Sequence, residues 1–187
     1  MKVEGKEDQM PLIVSADPAK ISGFACYVPD SDDRSYRLAR YGLLKPTTTQ
    51  KVDRIFEWAD DTAAKSVHVD FVLLAIEDQF LGKKNPHSLI KMVEQRMRWQ
   101  VVAEMYGARV ETFQPQQWQG PMLGARRGMK RKERKRASQN SAHFFFKGAS
   151  FTIDEADATI IGAYVARLQV ARILNSVDMF PFEGERH

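Results

Sequence analysis

The chain has 187 residues, one cysteine and a formal net charge of +4. That length suits one domain with a sizeable core, and a lone cysteine excludes an intramolecular disulfide or a cysteine-built zinc site within one chain. No apolar run is long enough to span a membrane, and the polar start MKVEGKEDQM is unlike a signal peptide, so a cytoplasmic protein with a loose tail over residues 1–10 is expected.

Three strand-like runs come first: Leu12–Ala16, Ile21–Val28 and Tyr36–Leu44. Turn-rich pieces separate them, which suggests hairpins or an antiparallel meander. Residues 50–66 then place Val52, Ile55, Phe56 and Ala59 at helical spacing. Next comes FVLLAIED, whose six apolar residues, 71–76, predict a strand buried on both faces. Asn85-Pro86 marks a helix start, and Ile90, Val93, Met97 and Val101 form one stripe over residues 87–106. That stripe serves either the core or a dimer interface. ARVETF at 108–113 is a further short strand. Residues 114–150 are the least regular part, with a helix conceivable over 132–146. TIDEADATIIGAYVARLQVARIL has the period of a long helix, with Asp157, Ile161, Tyr164 and Leu168 on one stripe. This order predicts an α/β fold with a central mixed sheet flanked by helices.

The charge is uneven. Residues 126–136, RRGMKRKERKR, carry a net +7, so the rest of the chain sums to −3. Such a run reads as a DNA-binding loop, a solvated loop or a nuclear-type address. The acidic remainder and the charge that phosphates demand favour the first.

Two acids have an unusual context. Asp17 and Glu77 each close an apolar strand, and ligands of α/β sheets bind at the carboxyl ends of strands. Asp17 precedes a proline, so a plain turn is the competing explanation. Asp154 and Asp157 lie three apart at a helix start and share a face. Capping explains Asp154 and Glu155 well; it explains Asp157 poorly, because Asp157 leads the stripe that packs on the sheet. Four carboxylates crowd together cheaply only around a cation, and an all-oxygen set suits Mg²⁺ or Mn²⁺. Two such ions about 4 Å apart are a common device for phosphodiester cleavage.

The order SADPAKISGF, LAIEDQF and DEADATIIGAYVAR resembles the RuvC family of Holliday junction resolvases, within the RNase H-like nuclease superfamily. The resemblance spans about residues 11–175. It implies an RNase H-like fold with a central mixed five-stranded sheet over residues 11–176, a basic loop at 120–150 and a C-terminal tail at 177–187. It implies that Asp17, Glu77, Asp154 and Asp157 are catalytic and bind two Mg²⁺ ions, which Mn²⁺ replaces. It further implies a homodimer that nicks two strands of a four-way DNA junction through metal-activated water, in a bacterial or phage-infected cell. Phe80 matches the family's aromatic that meets junction bases. Beside Lys83 and Lys84 it also makes a stacking platform with phosphate contacts, or else a core anchor. Arg126, Arg127, Lys130, Arg131, Lys132, Arg134 and Lys135 are the remaining expected DNA contacts.

The chain departs from the family pattern at several points: the loop to Gly23 is one residue short, and the basic run is richer in charge than the family's. Ala19 stands where the family has glycine after Asp-Pro. Trp118 and Gln119 lie where a family lysine is expected, and Trp118 reads as packing or as a DNA contact. Lys132 or Lys135 could fill the place of a second family lysine. His87 reads as a helix-start residue and His143 adjoins a buried-looking Phe-Phe-Phe; a proton-transfer role is the alternative for each. Other readings of the whole are a less selective nuclease on flapped DNA or RNA–DNA hybrids, and a non-catalytic DNA-binding module.

Overall fold

Alternation along the first strand sets the layout. In β1 (Leu12–Asp17), Leu12, Val14 and Ala16 join one buried cluster while Ile13 joins another. Successive strand side chains point to opposite faces, so a strand that buries both must lie between two layers. The computed structural model describes residues 10–30, 34–78, 86–125 and 128–178. Its further elements are β2 (Ser22–Asp30), β3 (Ser35–Leu44), α1 (Thr49–Ala64), β4 (Val72–Glu77), α2 (Pro86–Met105), β5 (Arg109–Phe113), α3 (Pro115–Leu123), α4 (Arg131–Phe145) and α5 (Ile153–Asp178).

The five strands form one mixed sheet in the order β3-β2-β1-β4-β5. β1, β2 and β3 pair antiparallel, and β4 and β5 extend the sheet parallel to β1. On one face α1 contributes Val52, Ile55, Phe56 and Ala59, and α2 contributes Trp99, Val102 and Ala103. On the other face the core is built from α5, with Trp118 and Met122 of α3 and Ala142 of α4. Cys26 is free and buried in β2. Among the described residues, no helix is long and apolar enough to cross a membrane.

Several expectations change. The segment 120–150, expected as a basic loop, is largely helical, and the helix conceivable over 132–146 is present as α4. α3 was not anticipated, although Pro115 at its first turn and Gly124 in the left-handed conformation just past its end are ordinary boundary signals. Met10, assigned to the tail, is only 5% exposed. Two residues of the Phe-Phe-Phe run are not buried, Phe144 at 72% exposed and Phe145 at 40%, while Phe146 packs against the core. The stripe Ile90, Val93, Met97 and Val101 faces outward, since the opposite side of α2 carries the core residues.

Candidate active site

The two strand-end acids meet because β1 and β4 are parallel neighbours in register. Ala16 pairs with Ile76, so Asp17 and Glu77 stand side by side one step further on. Both lie at odd positions of their strands, with Ile13 and Leu73. They therefore point to the face that α5 covers. The turn after Asp17 is held by hydrogen bonds. Ala19 N–H donates to Ser22 Oγ (3.0 Å), and Thr47 Oγ1 donates to Ala19 O (2.9 Å). Among the described non-glycine residues only Arg34 has a positive φ, so the turn does not need glycine at Ala19.

α5 brings the other two acids. Its start is capped by a Thr-x-x-Glu box: Thr152 N–H donates to Glu155 Oε2 (2.8 Å) and Glu155 N–H to Thr152 Oγ1 (3.4 Å). Glu155 is thereby engaged at the helix end, which leaves Asp154 and Asp157 for the site. Buried bonds pin the helix to the sheet: Ser15 Oγ donates to Ala158 O (2.8 Å) and Tyr27 Oη to Thr159 O (2.6 Å). Gly23, the cross-strand partner of Asp17, makes the approach possible. A Cβ at Gly23 would lie 1.9 Å from the carbonyl oxygen of Asp154. Any side chain there would push the start of α5 away from Asp17.

Lys135, from α4, enters the space between the acids. Its Nζ lies 3.6 Å from Asp17 Oδ2 and 3.5 Å from Asp154 Oδ1, and it donates a short hydrogen bond to Asp157. On the other side, Trp118 Nε1–H donates to Glu77 Oε1 (3.2 Å). One ammonium does not balance these acids. Burial, with the charges of Asp157 and Asp154, pushes the Asp17 carboxyl up to about 6 although Lys135 pulls it down. Burial, with the charges of Asp17 and Asp157, pushes Glu77 up to about 8. Burial is the larger cause of both shifts and like charge adds to it; by formal charge, four acids face one ammonium. Lys135 itself is held above the usual lysine range: its desolvation is outweighed by Asp157, Asp17 and Asp154.

Among the described residues, no three His, Cys, Asp or Glu side chains already form a metal cage. The aspartates gather on an ammonium instead. The chemistry of the donor set still fits a small divalent cation: hard oxygens, strong mutual repulsion and a deficit of positive charge.

The expected DNA contacts divide. Phe80, Lys83, Lys84, Arg126 and Arg127 lie outside the described residues. Lys130, Arg131 and Lys132 are exposed at the start of α4. Arg134 is turned back on the chain, with Nη1 donating to Met129 O (2.7 Å). Lys135, grouped in sequence with the phosphate contacts, faces the acids because its i to i+3 neighbour on the helix is the buried Ser138. The single acid of the run, Glu133, accepts the Lys130 N–H (2.9 Å) and so starts the helix. His143 is exposed, its Nδ1 3.1 Å from Ala149 O, away from the acids.

No protein-family model and no curated protein sequence matches the chain. Solved structures do. Thermus thermophilus RuvC bound to a Holliday junction substrate superposes with a TM-score of 0.59 at 18% identity, over 87% of this chain and 98% of that one. A second T. thermophilus RuvC structure gives 0.57 at 19% identity, over 85% and 97%. The chain has the RuvC fold. The yeast mitochondrial Holliday junction resolvase Ydc2 is similar at a TM-score of 0.50 and 8% identity, over 91% of this chain and 83% of that one. Within the RuvC fold, the four acids singled out in the sequence all stand at one end of the sheet.

Three residues at this site were missed or undervalued in the sequence. Trp118 is 2% exposed and bonded to an acid, which no short-range pattern announces. Gly23 is a close-approach glycine, visible only as Gly before an aromatic in the second strand. Arg136 was left out of the expected contacts, yet it is exposed one turn after Lys132 and on the same side of α4.

Proposed function

We propose that the chain is a metal-dependent endonuclease that cuts branched DNA, with the four-way junction as preferred substrate. The observation that carries this reading is the convergence of Asp17, Glu77, Asp154 and Asp157 beside a strongly basic helix. Asp17, Glu77 and Asp157 would hold Mg²⁺ or Mn²⁺, with Asp154, the more exposed acid, completing the set. When bound, the cation supplies the positive charge and Lewis acidity that phosphodiester hydrolysis needs. The protein groups do the rest. Asp17 and Glu77 would bind the cation as carboxylates. Lys135, already within 3.6 Å of Asp17 and 3.5 Å of Asp154, offers its ammonium to a phosphate oxygen lying over the acids. Lys130, Arg131, Lys132 and Arg136 contact phosphates along the approach to the site.

Resolution of a junction needs two cuts, and one chain carries one set of acids. The proposed assembly is a homodimer joined through the outward stripe of α2. Ile90 (55% exposed), Met97 (48%) and Met105 (73%) expose more apolar surface than a helix facing water needs.

The test is cleavage of a labelled four-way junction in Mg²⁺ by Asp17→Asn and Glu77→Gln. Each change is expected to lower the rate about 100-fold or more, as loss of a charge-stabilising group does, while junction binding persists. Full activity in Asp17→Asn would remove the acids from the reaction.

A further inference from the structure

Among the four acids, only Glu77 receives a hydrogen bond from a buried ring. Trp118 is 2% exposed and sits in the core between Phe113, Met122 and α5. Its indole Nε1–H has a single fixed direction, and it donates to Glu77 Oε1 at 3.2 Å. The helix that carries it is fixed at both ends. Gln114 N–H donates to Gln117 Oε1 (2.7 Å) at the start, and Gly124 N–H donates to Gly120 O (3.0 Å) at the end. The aspartates contrast with this, since each of them meets the ammonium of Lys135 on its long, rotatable stem. A tryptophan has one donor and no acceptor, so it can hold a carboxylate oxygen without competing for a cation.

We propose that Trp118 is a positioning residue: its indole N–H fixes the Glu77 carboxylate so that the second oxygen stays available to a divalent cation. This rests on the reading of the four acids as a metal site and names the support behind one ligand. Outer partners that orient a ligating carboxylate commonly change metal affinity about 10- to 100-fold when removed. The bond also explains why a large aromatic occupies a position next to the acids without reaching the surface.

The experiment is a calorimetric Mg²⁺ titration of the full chain without DNA, on wild type, Trp118→Phe and a protein carrying 3-benzothienylalanine at position 118. The last replaces the indole N–H by sulfur and keeps the shape of the ring, so it answers the question even where the phenylalanine variant fails to fold. Expected is Mg²⁺ binding by the wild type and an affinity about 10-fold weaker in the sulfur analogue. Junction cleavage at low Mg²⁺ falls to match, and excess Mg²⁺ restores it with the Michaelis constant for DNA unchanged. A merely structural ring would show neither the weaker titration nor the rescue. Unchanged Mg²⁺ affinity in the analogue, with wild-type binding intact, overturns the role of Trp118 and leaves the metal site standing. No Mg²⁺ binding by the wild type overturns both.

Discussion

The carboxyls of Asp17 and Glu77 are pushed up to about 6 and about 8, which makes the crowded acids a cost to stability. Below about pH 3 folded and unfolded chains both hold these protons. As pH rises through the ordinary carboxyl range, 3.8 for Asp17 and 4.5 for Glu77, the unfolded chain releases them and the folded chain keeps them. The metal-free protein therefore loses stability through the window up to about pH 8, where Glu77 finally ionises. Glu77→Gln keeps an oxygen for Trp118 and removes the charge. Thermal unfolding in chelator should show its midpoint raised by about 3 °C or more at about pH 8, with little change at about pH 4.5. A midpoint at the higher pH equal to or below that of the wild type would contradict the strain ascribed to Glu77. These two acids were legible in the sequence because each closes an apolar strand. Trp118 was not. Its partner lies 41 residues away, and only the pairing of β4 with β5, followed by α3, brings the two together. The departure at Ala19 also lost its weight in three dimensions. The turn is held by the Ser22 and Thr47 hydroxyls, and it asks for no glycine conformation.

At the scale of elements, the strands and the helices α1, α2 and α5 follow their apolar periods, so the sequence announced them. α3 and α4 do not. α4 buries only Ser138 and Ala142, two small residues that leave no apolar stripe to read. Its Lys and Arg residues are good helix formers all the same. Helical geometry then sorts the basic run in a way that composition could not: Arg134 binds its own chain, Lys135 enters the acid cluster, and Lys130, Lys132 and Arg136 remain outside. Replacing these last three with Gln should weaken junction binding. It should also lower the slope of log affinity against log salt by about 0.9 for each phosphate that is no longer neutralised. Competition titrations over a range of salt measure it. An unchanged slope would show that α4 does not meet the phosphate backbone.

For the whole molecule, sheet order is the decisive fact. With β1 at the centre, beside β4 and beneath α5, acids from residues 17, 77, 154 and 157 share one end of the fold. α2 lies on the opposite layer, with its apolar stripe outward. The proposed dimer through that stripe would leave both acid clusters free for DNA, the arrangement that the proposed paired nicking requires. The fold class was readable because strand and helix periods are local. The direction of the α2 stripe was not, because both faces of that helix carry apolar residues and only packing distinguishes them. The most direct measurement is a gel assay in Mg²⁺ with four-way junction, three-way junction, flap, linear duplex and RNA–DNA hybrid, run with wild type and Met97→Glu. The account predicts symmetric paired nicks in the four-way junction, none in chelator, and unpaired nicks by Met97→Glu. Equal cutting of linear duplex or hybrid, or cutting in chelator, would contradict it.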